Sequence, residues 1–248
     1  MDLYPAIDLR RGTAVRLTQG DYDRETQYGD PVELAQRFKD GGATWLHVVD
    51  LDAARTGEEH ERAVLSALVQ VGIPVETGGG LRTETDLEAV FAAGVSRAIL
   101  GTAAIEDPSF AAKCAQHWPH QVAVGLDYVV DADGRAEARA HGWLEGNGRS
   151  PIELLALWED EPIAAVIATS IARDGMLDGP DLAGLTELLN ATRIPVIASG
   201  GVGTLDDLKA LGRLSGTYGS LSGVIVGKAL VEGRFTVEEA VALCATSV

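Results

Sequence analysis

Short aliphatic runs alternate with stretches of helical periodicity from one end of the chain to the other. Because these runs contain few polar positions, they indicate strands that are buried on both faces. Eight such runs follow one another along the chain. We predict strands at residues 3–8, 45–50, 75 onward, 97–100, 121–127, 163–169, 194–198 and 222–226.

Helix signals lie between the strand-like runs. Asp30 is a good helix cap, Pro31 suits the first helical position, and the glycine pair at residues 41–42 ends that helix. A polar loop is predicted after the first strand and a small hairpin at residues 131–139. We predict the remaining helices at residues 59–71, 83–93, 107 onward, 150–160, 181–191, 205–214 and 236–244.

Eight consecutive strand and helix pairs are typical of a (β/α)8 barrel. A doubly wound sheet is the alternative, but it seldom needs eight regular units. The pattern therefore predicts the α/β class. We expect residues 1–248 to form a single TIM barrel domain with an internal half-barrel twofold repeat.

A glycine-rich segment occurs twice, as VETGGGLRT at residues 75–83 and as VIASGGVG at residues 196–203. In both copies a strand ends in glycines and a helix start follows. Glycine lets the backbone approach an anion closely, and a helix N-terminus adds favourable N–H groups, so each copy is a candidate phosphate site. One copy alone is equally consistent with a tight turn, but two copies favour a ligand with two phosphates.

The two glycine segments belong to a longer repeat. Asp8 and Asp127, at the ends of the first and fifth strands, are 119 residues apart, and so are Asp50 and Thr169 at the ends of the second and sixth. Gly80 and Gly201 are 121 residues apart, which one loop insertion would explain. A duplicated half-barrel predicts that the two glycine segments face each other across the barrel mouth, and that Asp8 faces Asp127.

Composition and charge argue against several classes of function. The net charge of −17 and the absence of basic clusters argue against nucleic acid and against an anionic membrane surface. An acidic protein still binds phosphorylated metabolites when backbone amides and a few arginines act locally. No apolar run approaches the roughly 20 residues that span a bilayer, and the N-terminal residues do not resemble a signal peptide, so we expect a cytoplasmic protein.

Cysteine and histidine spacing gives no sign of a metal site. Cys114 and Cys244 are far apart in helix-like segments, where we expect buried, unpaired thiols. The five histidines form no zinc-binding pair on a helix, so no metal is predicted.

Two acidic residues are the first candidates for catalysis. Asp8 and Asp127 each follow an apolar strand, where a carboxylate is costly unless it is partnered or used. Two such groups divide acid and base roles if their surroundings separate their pKa values. Asp174, in the loop after the sixth strand, is either a third acid group or a residue that shapes the loop.

Three further residues allow two interpretations each. Arg16 either holds a phosphate or carboxylate or is an exposed arginine. His47 faces the barrel interior or the helices according to the register of its strand, so it is either a site residue or a satisfied core histidine. Trp143, in a glycine-rich polar loop, either belongs to a lid that stacks on a planar ring or packs against the protein.

Motifs along the whole chain resemble one family. They are PAIDLRRG, LHVVDLDAA, GGGLR, GTAA, VGLD, HGW, TSIARDGMLDGP, SGGVG and VGKALVEGRF. The family is the histidine-biosynthesis isomerase that converts a phosphoribosylformimino-aminoimidazole carboxamide ribonucleotide from its aldose to its ketose form. The resemblance implies a barrel of two similar halves, no cofactor or metal, and a small ribonucleotide substrate with two phosphates.

The resemblance also implies roles for individual residues. Asp8 would be the general base and Asp127 the general acid of an Amadori rearrangement, with Asp174 as the alternative acid. Arg16, Trp143 and Thr169 would line the site, although Ser170 stands where many relatives have Asp. One phosphate would contact Gly79, Gly80, Gly101 and Thr102, and the other Gly175, Gly200, Gly201, Gly227 and Lys228. We expect a monomer.

Other functions remain open at this point. A sister isomerase also accepts phosphoribosyl anthranilate and carries Arg-Gly-Trp in its fifth loop; here His141 replaces that arginine, although Arg139 is nearby. The cyclase of the same pathway begins with Cys-Leu-Asp, unlike Ala6-Ile-Asp8. A non-catalytic barrel that binds a bisphosphorylated metabolite is the alternative from another class, but carboxylates facing an anionic ligand would weaken its binding.

Overall fold

The computed structural model of the chain describes residues 1–18, 21–57, 61–131, 133–143, 145–146 and 148–246. Strands and helices alternate throughout these ranges. The strands are β1 Asp2–Arg10, β2 Thr13–Thr18, β3 Asp21–Gly29, β4 Leu46–Asp50, β5 Val75–Gly78, β6 Arg97–Leu100, β7 Val122–Val130, β8 Ala136–Ala140, β9 Glu145–Gly146, β10 Val166–Ser170, β11 Val196–Ser199, β12 Ser215–Gly216, β13 Gly219–Ser220 and β14 Gly223–Val226. The helices are α1 Pro31–Asp40, α2 Leu51–Thr56, α3 Arg62–Val69, α4 Glu84–Ala92, α5 Thr102–Glu106, α6 Pro108–His117, α7 Pro151–Trp158, α8 Leu182–Ala191, α9 Leu205–Gly212, α10 Lys228–Val231 and α11 Val237–Ala245.

Eight parallel strands close into a barrel, which confirms the predicted fold class. Their order around the barrel is β10, β11, β14, β1, β4, β5, β6 and β7, and β7 pairs with β10 to close it. Three strands separate β1 from β7 in either direction. The strands that carry Asp8 and Asp127 therefore lie on opposite sides of the barrel.

Buried side chains pack against both faces of the barrel sheet. The larger core lies between the strands and the surrounding helices and includes Leu46, Val124 and Trp158. A second cluster of mostly small and branched side chains fills the interior: Tyr4, Ala6, Ile99, Ala123, Ala165, Ile167, Ile197 and Ile225, with Trp45 packed against them. Because this interior is packed, the barrel itself leaves space for a ligand at its mouth rather than along its axis.

The predicted polar loop after β1 is wrong, because β2 and β3 form an antiparallel hairpin there. Most side chains of β3 are exposed, so the segment lacks the apolar alternation that predicts a strand. The hairpin predicted at residues 131–139 is confirmed by the antiparallel pairing of β7 with β8. Hairpins thus follow both β1 and β7.

Several short elements were absent from the sequence prediction. They are α2, α5, α10, β9 and the pair formed by β12 and β13. Each is too short to give a recognisable periodicity. Helix α3 begins at Arg62 rather than 59, and residues 59 and 60 of the predicted helix lie outside the described residues.

The internal repeat has a different offset from the one predicted for its second strand. Asp8 is level with Val49 in β4, whereas Asp127 is level with Thr169 in β10. Thr169 therefore corresponds to Val49, 120 residues earlier, and not to Asp50. Asp50 instead caps α2, accepting a hydrogen bond from the backbone N–H of Ala53 at 2.8 Å.

The glycines that follow β5 and β11 allow neighbouring loops to pack closely. A Cβ atom at Gly79 would overlap the carbonyl oxygen of Asp50, and one at Gly201 would overlap that of Gly179. Both glycines also have positive φ, at +104° and +88°. Close backbone approach explains both of these glycines independently of any ligand.

We expect Gly79→Ala to cost roughly 3 kcal/mol of unfolding free energy, from the positive φ together with the overlap on Asp50. Gly134→Ala is the matched control, because Gly134 has a φ of +79° and an added methyl group there would have no atom within 4 Å. The control should lose only about 1–2 kcal/mol. Urea denaturation of both variants gives the comparison, and equal losses would contradict the packing explanation.

Candidate active site

A cavity of about 310 Å³ opens at the carboxyl ends of the barrel strands. It brings together residues that lie far apart in the sequence, as the barrel fold predicts. Its lining includes the predicted site residues Asp8, Arg16, His47, Gly79, Gly101, Asp127, Trp143, Thr169 and Asp174.

Asp8 is held by a cation. Nη1 of Arg16 donates to Oδ2 of Asp8 at 3.0 Å, and Nη2 donates to Oδ1 of Asp174 at 3.3 Å. The β2–β3 hairpin carries Arg16 over the mouth, because its strand β2 pairs directly with the end of β1. The Arg16 side chain is only 17% exposed, so the interpretation of Arg16 as a freely exposed arginine is wrong.

Asp127, across the mouth, contacts neutral donors instead. The indole Nε1 of Trp143 donates to Oδ2 of Asp127 at 2.8 Å, and Thr169 lies level with Asp127 on the neighbouring strand β10. Trp143 lies just beyond β8, so the hairpin that follows β7 supplies this partner. Trp143 thus lines the cavity while it is hydrogen-bonded to Asp127, and its backbone has a φ of +76°. Its role in a lid stays a prediction.

Burial raises the pKa of both Asp8 and Asp127. The neighbours of the two carboxyl groups then shift these pKa values through different interactions. The Arg16 guanidinium opposes the increase in the pKa of Asp8, while the nearby Asp174 adds to it. For Asp127, the Trp143 indole and the Thr169 hydroxyl oppose the increase in pKa, and Asp174 adds to it as it does for Asp8. A cation favours an ionised carboxylate more strongly than neutral donors do. The surroundings therefore favour the ionised form at Asp8 relative to Asp127.

The two glycine segments lie on opposite sides of the mouth. One follows β5 and the other β11, and three strands separate β5 from β11 in either direction around the barrel. The 310 Å³ cavity reaches Gly79 and Gly101 on the first side. A smaller adjoining cavity of about 20 Å³ on the other side is lined by glycines 175, 200, 201 and 227 and by Lys228.

The helix N-termini that lack a side-chain cap are not those of the helices that follow the two glycine segments, where the sequence predicted anion binding. The helices directly after the glycine segments, α4 and α9, are closed by capping boxes of Thr83 with Asp86 and of Thr204 with Asp207. A carboxylate already occupies each of those N-termini, so they disfavour a second anion. The short helices α5 and α10, which begin after Gly101 and Gly227, have no side-chain cap.

Lys228 is oriented by the loop that follows β10. Its Nζ donates to the carbonyl oxygen of Gly175 at 3.0 Å and lies 4.0 Å from Glu232. Gly200 and Gly201 line the same small cavity. The second glycine site therefore combines backbone groups with one cation, whereas Thr102 on the first side accepts a hydrogen bond from the backbone N–H of His141 at 3.0 Å.

His47 faces the interior of the barrel and lines the cavity, which decides the register of its strand. Its role as a site residue stays a prediction. Its Nδ1 lies 2.8 Å from Oε1 of Glu76, and Oε2 of Glu76 accepts from Nη1 of Arg97 at 2.9 Å. Neither Glu76 nor Arg97 was predicted from the sequence. An acidic residue inside the buried run VETG was the signal, and it is the same signal that identified Asp8.

The fifth-loop residues that distinguish the sister isomerase lie away from the centre of the site. Nε2 of His141 lies 2.7 Å from Oε1 of Glu106. Arg139 forms an ion pair with Glu137 at 2.9 Å and lines a different cavity.

Three further features of the described residues bear on the sequence predictions. Cys114 and Cys244 are both buried free thiols, as predicted. Within the described ranges, no cluster of three or more His, Cys, Asp or Glu side chains is arranged to hold a metal ion. No helix in those ranges is long and apolar enough to cross a membrane.

Comparisons with known proteins give one family throughout. A family model described as histidine biosynthesis protein matches residues 2–236. The chain is similar to three proteins named 1-(5-phosphoribosyl)-5-((5-phosphoribosylamino)methylideneamino) imidazole-4-carboxamide isomerase. The one from Dinoroseobacter shibae is 44% identical, over 99% of this chain and 100% of its own length. Those from Rhodopseudomonas palustris and Bacillus subtilis are 45% and 42% identical, over 98% and 96% of this chain and 97% and 95% of theirs.

We expect Asp127→Asn to stabilise the protein at pH 7.5. An aspartate whose pKa is raised on folding costs no stability below its ordinary value of about 3.9, and its cost appears as the pH rises through the folded value. The urea midpoint of the variant should therefore exceed that of the wild type at pH 7.5, and the difference should vanish toward pH 4.

Asp8→Asn is the control for this stability prediction, because it removes a carboxylate partner from the buried Arg16. Its gain at pH 7.5 should be smaller than that of Asp127→Asn, because the Arg16 guanidinium offsets part of the desolvation that raises the pKa of Asp8. A difference between Asp127→Asn and the wild type that stays constant with pH would contradict the desolvation account.

Proposed function

The chain belongs to the histidine biosynthesis protein family, and we propose that it acts as the aldose–ketose isomerase for which its relatives are named. Its substrate would be the phosphoribosylformimino-aminoimidazole carboxamide ribonucleotide, which carries a phosphoribosyl group at each end. The reaction is an Amadori rearrangement of the aminoaldose to the aminoketose. The observation that carries the proposal is the pair Asp8 and Asp127, on opposite barrel strands with opposite kinds of partner.

In the first step, Asp127 acts as the general acid. It donates a proton to the ring oxygen of the aminoaldose, the bond between that oxygen and C1 breaks, and a protonated Schiff base forms. A carboxyl group with a raised pKa and only neutral donors around it is suited to carry that proton.

In the second step, Asp8 acts as the general base. It takes the proton from C2, the electron pair moves into the C1–C2 bond, and the C1–N double bond becomes single. The resulting enolamine then tautomerises to the ketose. Arg16, at 3.0 Å, favours the ionised form of Asp8 that this step requires.

Asp174 is the alternative acid, and its contacts favour a different role. It already accepts a hydrogen bond from Arg16 at 3.3 Å, whereas Asp127 contacts no cation among the described hydrogen bonds and ion pairs. We infer that Asp174 positions Arg16 and that Asp127 is the acid.

The two phosphates of the substrate would occupy the two glycine sites. One site comprises Gly79, Gly80, Gly101 and Thr102, and the other comprises Gly175, Gly200, Gly201, Gly227 and Lys228. The uncapped starts of α5 and α10 support this assignment, since each leaves N–H groups available to an anion. Thr169 and Trp143 would line the region between the sites.

The ion pair between Arg139 and Glu137, outside the cavity, favours a single substrate. In the sister isomerase a fifth-loop arginine can meet the carboxylate of phosphoribosyl anthranilate, whereas here His141 stands at that position and contacts Glu106. Arg16 does line the cavity, but it is already paired with Asp8 and Asp174. A purely binding function is disfavoured by two carboxylates facing an anionic ligand. A single domain, a monomer, a cytoplasmic location and the lack of a cofactor all remain predictions.

We expect Asp8→Asn and Asp127→Asn each to lower kcat for the aminoaldose by about 10²–10⁴-fold, because each removes one proton-transfer group. KM should change less, since the phosphate sites remain. Asp40→Asn is the matched control: Asp40 ends α1, is exposed and contacts only Gln36 in the described hydrogen bonds. Its activity should equal that of the wild type.

The same assay should include phosphoribosyl anthranilate as a second substrate. The proposal predicts turnover of the aminoaldose alone. Comparable turnover of both substrates would establish the bifunctional enzyme, and tight binding of the aminoaldose without turnover would refute an enzymatic function.

A further inference from the structure

Three ionisable side chains form a row on the neighbouring strands β4, β5 and β6, below the cavity. Glu76 is level with His47 in the pairing of β4 with β5, and level with Arg97 in the pairing of β5 with β6. The side chain of Glu76 is fully buried, at 0% exposure. His47 also lies one inward-facing position below the level of Asp8, opposite Ala6 in β1.

The contacts of Glu76 determine where the ring proton of His47 lies. Nη1 of Arg97 donates to Oε2 of Glu76 at 2.9 Å, so Glu76 is paired with a cation and accepts hydrogen bonds with both oxygens. Nδ1 of His47 lies 2.8 Å from Oε1. A carboxylate only accepts, so Nδ1 carries the proton and donates it. Nε2 of the neutral ring is then the nitrogen available to the cavity.

Arg97 is itself fixed by aromatic rings. Its guanidinium carbon lies 4.5 Å from the centre of the Trp45 ring and 6.0 Å from that of Tyr4, and these two rings stack on each other. Such contacts restrict the guanidinium to one plane. The Nε of Arg97 is buried without a hydrogen-bond partner among the described residues.

Burying this row of ionisable side chains is energetically unfavourable, so a purely structural role does not explain it. Burying a carboxylate, even when it is paired, costs desolvation that apolar side chains avoid, and an unpartnered Nε adds to the cost. The rest of the interior cluster consists of Ile, Ala and aromatic residues. Since an apolar layer would fill the same space, the row is better explained by what it does to His47.

We propose that Glu76, held by Arg97, is a positioning residue that fixes His47 with its proton on Nδ1 and presents Nε2 as a hydrogen-bond acceptor to the central, sugar part of the substrate. The partner chemistry is a hydroxyl group of the ribose that undergoes isomerisation, located between the two phosphates. This inference rests on the proposed function for the identity of the substrate. The position of the proton on the His47 ring does not depend on the identity of the substrate.

The direct test is the tautomer of His47 in the free protein. Long-range ¹H–¹⁵N correlation spectra of labelled protein, recorded where the ring is neutral, distinguish a proton on Nδ1 from one on Nε2. The signals are assigned by their loss in His47→Gln. We expect the Nδ1–H form in the wild type and the Nε2–H form in Glu76→Gln, whose amide nitrogen would donate to Nδ1. An Nε2–H ring in the wild type would overturn the proposal.

Kinetics of Glu76→Gln provide the second test. We expect kcat to fall at least about tenfold with a smaller change in KM, since losing the partner that orients a histidine commonly costs 10–100-fold in metal sites. In the His47→Gln background the same change should cost nothing further. Full wild-type kcat in Glu76→Gln, or an equal additional loss in that background, would contradict the positioning role.

Glu159→Gln is the matched control for Glu76→Gln. Glu159 accepts from Nε of Arg193 at 2.8 Å and also contacts Thr192, so the variant removes an arginine-paired carboxylate outside the barrel interior. It should keep wild-type kcat and the Nδ1–H form of His47. If the wild-type protein does not turn over the aminoaldose, the proposed function fails, while the tautomer measurement still decides the positioning role.

Discussion

Burial of two carboxylates at one barrel mouth is the constraint on which the rest of the site depends. Asp8 and Asp127 occupy opposite strands, and desolvation raises the pKa of each. What distinguishes them is the partner that each receives. In each half of the barrel a hairpin follows the first strand, and one hairpin delivers the cation Arg16 while the other delivers the neutral indole of Trp143. Two similar halves of one barrel thereby place Asp8 and Asp127 in surroundings that affect their pKa values differently.

The glycine segments show how the same scaffold combines packing with binding. The glycines after β5 and β11 are required where neighbouring loops approach closely, and the helices after them are closed by their own capping carboxylates. In the proposed function, an anion would therefore bind to exposed backbone N–H groups and to the uncapped starts of α5 and α10. Since both sides of the mouth follow this pattern, a ligand with two phosphates suits it.

The sequence predicted features that depend on regular spacing or on a polar residue in an apolar run. The eight strands, the glycine segments, Asp8 and Asp127 were found in this way. The β2–β3 hairpin was missed because β3 is mostly exposed and shows no apolar alternation. The equivalence of Asp50 with Thr169 was wrong because a one-residue shift in register exchanges inward and outward positions. Contacts between distant elements, such as Trp143 with Asp127, depend on the closed barrel and have no local signal.

The most direct test of this account is a titration of the carboxyl carbons of Asp8 and Asp127 by ¹³C NMR, with the signals assigned through the two Asn variants. We expect both carboxyl groups to titrate above the ordinary aspartate range, and Asp127 to titrate at higher pH than Asp8, because only Asp8 is paired with a cation. If Asp127 titrated below Asp8, or if both had ordinary pKa values, the assignment of Asp127 as acid and Asp8 as base would be contradicted.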